Sequence, residues 1–489
     1  MLNGIKIALL GAVCVLSLLA PSSLVADDSP LPDGWKVTSK GAQIHGADGV
    51  FVDAEDMVYI TSVMGREIVV YDPTRKEIVD RIGPERGVES PDDLFVTEDG
   101  TIYLTSILSG EVIRLRPDGG WDKQVVAPLL NPITMSDDGR LFTARSSYPP
   151  GGLYELDPEL LDPPRVIIAD GLGGLNAFEF GPDGYLYAPL FTEDKVIKID
   201  VDSCDNATDP WNECDIQIVT DGFEGRPVAV RFDSAGRLHA LDVDTGALYR
   251  IDVGTGEKTL ITDLIDGVSS LGFDSKDTLY VTSHRHGNLF ILKPNEDPES
   301  LLRGGAIVPG SITVVPREGA DESLLVADLY SVREYDSKTG RDLDYFYWDH
   351  GLGAPFTAAY GGGQLVLTSW WDGGWVRVCD PSTFEVLDED TAFPYPANAI
   401  PFAGDVAVSS PYFGAVVRMS DHAVLGSGLY LPSGLAATDD DLWVADWWTG
   451  VIWQIVQDGE VLDPKRFVAF GLSQPEGLAL DLDGSLLVV

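Results

Sequence analysis

Hydrophobic and polar residues alternate along this chain in short runs, each closed by an Asp-Gly, Gly or Asp-Pro turn. The clearest stretches read SPDDLFVTEDGTIYLTSILSGEVIRLRPDG from Ser90, SSLGFDSKDTLYVTSHRHGNLFILKP from Ser269, PSGLAATDDDLWVADWWTGVIWQI from Pro432 and PEGLALDLDGSLLVV from Pro475. Period-two alternation is the mark of a strand with two unlike faces, and the turn residues are hairpin punctuation. The unit recurs at roughly 42 residues, a period that belongs to radial arrays of four-stranded units. Repeats start near His45, Ser90, Asn131, Gly174, Arg226, Gly267, Pro309, Gly353, Pro396, Pro432 and Pro475, and the eleventh reaches Val489 inside its second strand. The pattern predicts an all-β chain, a β-propeller of four-stranded blades.

Single propellers typically hold four to eight blades, so ten and a half repeats predict two in tandem. The first spans residues 42–299 with six repeats; the second spans 300–489 and is incomplete. A polar, Pro- and Gly-containing stretch from Asn295 to Gly304 separates them. One oversized ring is the competing architecture. The expected explanation of the broken eleventh repeat is a truncated reading frame; the alternative is a ring completed by strands around Trp35–Thr38.

The N-terminus departs from the repeat. Lys6 precedes an apolar run from Ile7 to Ala20, and small residues follow to Ala26. This is the layout of a signal peptide over 1–26, leaving an N-terminal segment 27–41 before the first blade. A membrane anchor is the competing reading, but the run is short for a span. The mature chain is expected to be secreted or periplasmic, with no membrane span. In an oxidising compartment Cys204 and Cys214, which flank the insertion SCDNATDPWNEC, are expected to pair; the alternative is two free thiols. Cys379, within a strand, reads as a small buried residue.

Charge narrows the partners. With 78 acidic and 33 basic residues the formal charge is −45, which excludes nucleic acid as a partner and favours cations near the surface. Most of these carboxylates need no function beyond solvation. No Gly-x-Ser-x-Gly elbow, Walker loop or His-Glu-x-x-His occurs.

In such a blade the start of the innermost strand and the end of the second meet on one face, beside the central channel. In the first ring the strand-one starts supply Asp48, Asp92 with Asp93, Asn131, Asn176, Arg226 and Ser269. Strand-two ends supply Ser62, Ser106, Arg145, Asp242 with Asp244, and His284. Convergent oxygens suit a hard divalent cation, Ca²⁺ first, with Mg²⁺ or Zn²⁺ as alternatives; a bound ion polarises a carbonyl or acidifies a water. Taken singly, each Asp, Asn or Ser here is equally an ordinary turn residue. His284, in Ser283-His284-Arg285-His286-Gly287, is a candidate base or ligand. Trp370-Trp371 and Trp447-Trp448, at equivalent points of repeats eight and ten, suit stacking on a sugar or other flat small molecule; inter-blade packing explains one of each pair equally well.

The units GADGVFVDAEDMVYITS, SPDDLFVTEDGTIYLTS and QPEGLALDLDGSLLVV resemble the repeats of the SMP-30/gluconolactonase and NHL-type propellers. That resemblance implies a divalent metal on the channel axis, with Asp48, Asp92 and Asn176 at the matching turn positions. The family's first-blade Glu has no evident counterpart, and no intact Pro-Asn-Gly occurs. The resulting expectation is an exported metal-dependent hydrolase of a lactone or similar ester, with Asp242 or His284 handling protons. The alternative is a non-catalytic binding scaffold using the tryptophan pairs.

Overall fold

The computed structural model describes residues 43–145, 151–264, 266–293, 296–317, 322–328, 331–347, 354–370, 373–481 and 483–489. The expected leader, 1–26, and the segment 27–41 lie outside them. Residues 42–489 form one compact unit. Among the described residues no helix is long and apolar enough to cross a membrane.

Each repeat folds as its alternation predicts. The described residues form ten four-stranded antiparallel sheets in simple sequential order, and one two-stranded pair. Blades 1 to 6 occupy 50–82, 91–125, 130–168, 179–221, 227–263 and 268–302. Blades 7 to 10 occupy 309–347, 357–390, 398–426 and 432–469, followed by the pair Leu478–Leu480 and Leu486–Val488. Blade 2 shows the logic. Its inner strands Pro91–Val96, Ile102–Ser106 and Glu111–Leu115 are almost wholly buried, whereas Trp121–Val125 alternates between exposed and half-buried residues. Inner strands are covered on both faces by neighbouring blades, and the outermost meets solvent. Between blades 1 and 2 the contact is aliphatic, with Ile68, Val70 and Ile82 against Leu94, Leu104 and Ile113. Each such side chain contributes about 1.5–3 kcal/mol of burial.

Blades 1 to 6 close on themselves. The first strand of blade 1 packs against the first strands of both blade 2 and blade 6. The Thr of the recurrent Thr-Ser at the end of strand two makes the stitch. Thr61 Oγ1 donates to Asp92 O of the next blade at 2.5 Å, and Thr105 Oγ1 to Asn131 O at 2.5 Å. Thr282 Oγ1 of blade 6 donates to Asp48 O of blade 1 at 2.5 Å, so the ring is sealed by the bond used within it. On the opposite face Ser275 binds Asp56 across the same closure, as Ser234 binds Asp277 between blades 5 and 6. Thr282→Val should leave the Asp48 carbonyl without its donor and lower unfolding free energy by about 1 kcal/mol in urea titrations.

Blade 9 repeats the stitch with serine, Ser409 Oγ donating to Ser433 O of blade 10 at 2.7 Å; in blade 10 Ser433 Oγ, on the first strand, donates onward to Pro475 O at 2.8 Å. Blade 7 also reaches back to blade 6, where Arg285 O accepts from Arg333 Nη2 at 2.8 Å and from Tyr345 Oη at 3.1 Å. Its inner strand leaves Ile312 exposed, whereas the corresponding Val50, Leu94 and Leu271 are buried.

Candidate functional site

Strand pairing brings the predicted positions to one end of the first ring. Pro91 lies opposite Ser106, Pro227 opposite Asp242, and Val268 opposite Ser283. A bulge follows Pro91, so Asp92 and Asp93 leave the regular ladder together.

Asp48 and Asp92 come together, on adjacent blades. Asp48 Oδ2 accepts from Val63 N at 2.9 Å. Burial pushes its carboxyl up to about 7, with the Val63 bond acting in the other direction. Some of the Asp48 surface remains accessible although protein surrounds the group. Asp92 is buried, and its Oδ2 accepts no hydrogen bond. Burial raises it well above the usual carboxylate range, and the charges of Asp48 and Asp93 raise it further. Two carboxyls that disfavour each other's charge, one with an idle oxygen, favour a proton or another cation between them. Asn176 is also buried, but its Oδ1 accepts from Ala177 N at 2.8 Å. Among the described residues no group of three or more His, Cys, Asp or Glu side chains is placed to hold a metal. Of the three expected ligands, Asp48 and Asp92 are the two brought together, and Asn176 is committed to Ala177.

A second buried charge set was not anticipated from sequence. Asp93 Oδ2 accepts from Ile133 N at 3.1 Å, and its Oδ1 accepts nothing. Glu179 Oε2 accepts from Phe232 N at 2.6 Å. Burial raises both carboxyls, and the buried Arg231 guanidinium opposes that rise at each. Arg231 Nη1 itself donates to Phe178 O at 2.8 Å. A signal existed: Arg231 is a full charge inside the otherwise apolar strand Pro227–Phe232, and buried Arg needs a partner.

Asp242 has another occupation. It is fully buried; Oδ2 accepts from Gly225 N at 2.8 Å, and Oδ1 from Asp244 N at 3.0 Å and Thr245 N at 3.2 Å. Asp328 and Asp446 do the same work at the same register, accepting from Ile307 and Val308 N, and from Tyr430 and Leu431 N. The end of strand two is a clamp on the loop that enters the blade.

His284 sits in a cationic corner. Burial, then Arg285, His286 and Arg226, push its imidazole down to about 3, with Asp266 opposing. It is neutral at neutral pH, and so weak a base takes a proton poorly. Around it Arg226 binds Asp244 through Nε (2.8 Å) and Nη2 (2.6 Å), and Arg285 Nη1 binds Asp266 at 2.8 Å. His286 holds Asp266 down to about 2, and its ring lies 4.5 Å from that of Tyr345.

The tryptophans divide. Trp370 is a packing residue: its ring stacks on Phe356 at 4.0 Å and its Nε1 donates to Pro396 O at 2.7 Å. Trp371 lies outside the described residues. Trp447 is half-buried, and Trp448, 6.4 Å away between ring centroids, is exposed. Cys204 and Cys214 are disulfide-bonded, closing the acidic insertion of blade 4. Cys379 is a buried thiol, pushed up to about 12 by burial.

Compared with protein-family models and with curated proteins, the chain matches none. Among solved structures it is similar to virginiamycin B lyase from Staphylococcus aureus, at 13% identity over 58% of this chain and 92% of that one, TM-score 0.41. It is similar to a gluconolactonase from Xanthomonas campestris, at 15% identity over 51% and 86%, TM-score 0.41. A calcium-binding regucalcin from Agrobacterium tumefaciens gives 16% identity over 54% and 92%, TM-score 0.41. At these values the propeller fold rests on the blades themselves.

Proposed function

We propose that the chain is an exported propeller hydrolase that binds one divalent cation at Asp48 and Asp92 and opens a lactone or similar ester in the first ring. The observation that carries this reading is the Asp48–Asp92 pair: buried, mutually repelling, on adjacent blades, with Asp92 Oδ2 unpartnered. Burying two carboxylates side by side is costly, and a cation relieves that cost. The oxygen-only donor set suits Ca²⁺ or Mg²⁺ better than Zn²⁺. Asn176 is the third candidate ligand, by releasing its bond to Ala177.

A bound cation would polarise the ester carbonyl and acidify a water. The chain's own residues set the rest. Asp48, near 7 without a cation, would be held ionised by a bound one, so its role is that of a ligand. Asp242 is occupied by three backbone N–H groups, and neutral His284 beside Arg226 and Arg285 suits orienting a substrate oxygen better than removing a proton. The two-domain division is part of the same proposal, with its boundary after Leu302 and not at 299/300, because Glu299–Leu302 is the outer strand of blade 6; the chemistry is confined to the closed ring.

The test is hydrolysis of a panel of aldono- and acyl-lactones followed by pH-stat. Activity is expected with added Ca²⁺ or Mg²⁺, lost with chelator, and reduced at least about a hundredfold in Asp92→Asn. Hydrolysis that ignores both chelator and Asp92→Asn would overturn the proposal.

A further inference from the structure

The turn after strand two separates the two sets of blades. Two residues beyond the end of that strand, blades 1 to 6 carry Met64, Leu108, Ser147, Thr192, Asp244 and Arg285. Blades 7 to 10 carry Tyr330, Trp371, Tyr412 and Trp448. Aromatic residues make up 9% of the chain, so four of four in the second set against none of six in the first is a pattern, not background. Tyr330 and Trp371 lie outside the described residues; Tyr412 and Trp448 can be placed.

They stand on one face, linked by hydrogen bonds. Tyr412 and Phe413 are 44% and 54% exposed, with ring centroids 5.2 Å apart at 82°. Gly414, which ends that turn, accepts from Leu429 N at 3.0 Å and so sets the next loop against it. That loop presents Tyr430, 71% exposed, whose backbone N donates to Asp446 Oδ2 at 3.0 Å. Trp447 and Trp448 follow Asp446 directly, and Trp447 N donates to Leu431 O at 2.9 Å. Trp448 is 66% exposed. The order around the face is therefore Tyr412–Phe413, Tyr430, Trp448, with the backbone between them tied down and the rings left bare.

We infer that this aromatic rim is a binding site for a neutral glycan. Rings that packing needs are buried, as Trp370 is against Phe356; these are not. Tyr and Trp join a flat apolar face to a hydrogen-bonding tip, which matches a pyranose, apolar on its C–H faces and hydroxylated at its edge. In sequence the aromatic position recurs once per blade, and a recurring position suits a ligand that itself repeats. A formal charge of −45 opposes polyanions and anionic membranes and leaves an uncharged polymer unopposed. The site is remote in sequence from Asp48 and Asp92 and needs no cation.

The experiment is native affinity electrophoresis of the full chain through gels containing laminarin, galactomannan, xyloglucan or dextran, with and without chelator. Retardation by at least one polysaccharide is expected, unchanged by chelator. Trp448→Ala and Tyr412→Ala should each weaken it at least about tenfold. Both side chains are exposed, so the variants should fold, and matching circular dichroism checks this. Tyr430→Ala, whose anchoring bond is made by the backbone, is the second variant, expected to weaken binding likewise. No retardation in any gel, or retardation that Trp448→Ala leaves unchanged, would overturn the inference. So would concentration-dependent self-association, or binding to phosphatidylcholine vesicles, abolished by Trp448→Ala in place of glycan binding.

Discussion

Asp242→Ala is expected to lower the unfolding free energy by about 2–4 kcal/mol, because three backbone N–H groups lose one buried acceptor together. Gly225, Asp244 and Thr245 all donate to this one carboxylate, which is itself fully buried. Hydrogen bonds to a charged acceptor are worth about 1.5–3 kcal/mol each, and their losses do not simply add. Asp242→Asn keeps the shape but turns an NH₂ toward donors, so it should recover only part of the loss. Asp328→Ala and Asp446→Ala should behave alike, since both clamp the incoming loop in the same way. Urea titration of the three variants is the measurement. A catalytic Asp242 would give the opposite result: stability near wild type with activity gone.

The second large effect is a pH dependence that a cation reverses. Burial raises the Asp48 carboxyl from 3.8 to about 7 and Asp92 in the same direction. A carboxyl raised on folding binds more protons folded than unfolded, so its contribution is fully present below about pH 4 and is lost as pH rises through the folded value. Without cation, stability should therefore fall between about pH 4 and 8. The Asp48 shift alone corresponds to on the order of 2–4 kcal/mol once screening by channel water is allowed for. Asp92→Asn should flatten this slope. Saturating Ca²⁺ should remove it in the wild type, because a bound cation holds both carboxylates ionised. At a hundred times its dissociation constant the ion adds about 2.7 kcal/mol. Thermal unfolding across pH, with Ca²⁺ and with chelator, checks both signs.

Much of the fold was legible because its determinants are local. Alternation and turn residues act within a hairpin, and the expected repeat starts at Ser90, Arg226, Gly267 and Pro432 fall within a residue of the observed strands. Blades 1 and 8 start five and four residues later than expected, at Val50 and Thr357, and blade 4 starts at Glu179, five residues after the expected Gly174. There Asn176 takes the N–H of Ala177 with its own side chain, removing that donor from the ladder. The site was legible as a place but less so in its parts. Position alone brought Asp48 and Asp92 to one end of one channel. That Asp242 clamps a loop depends on where Gly225 and Thr245 arrive, which alternation does not encode. The Asp93–Arg231–Glu179 set spans three blades, and His284 is weakened by Arg226, 58 positions earlier in the sequence. Both depend on contacts between blades, which are long-range, and His284 depends first on its burial.

The central claim is that the buried Asp48–Asp92 pair is a cation site. Isothermal titration of Ca²⁺ into chelator-treated protein at pH 8, wild type beside Asp92→Asn, tests it most directly. One ion per chain is predicted for the wild type and none at this site for Asp92→Asn, with the variant at least as stable without cation. Equal binding by the two proteins, or no binding by either Ca²⁺ or Mg²⁺, would contradict it.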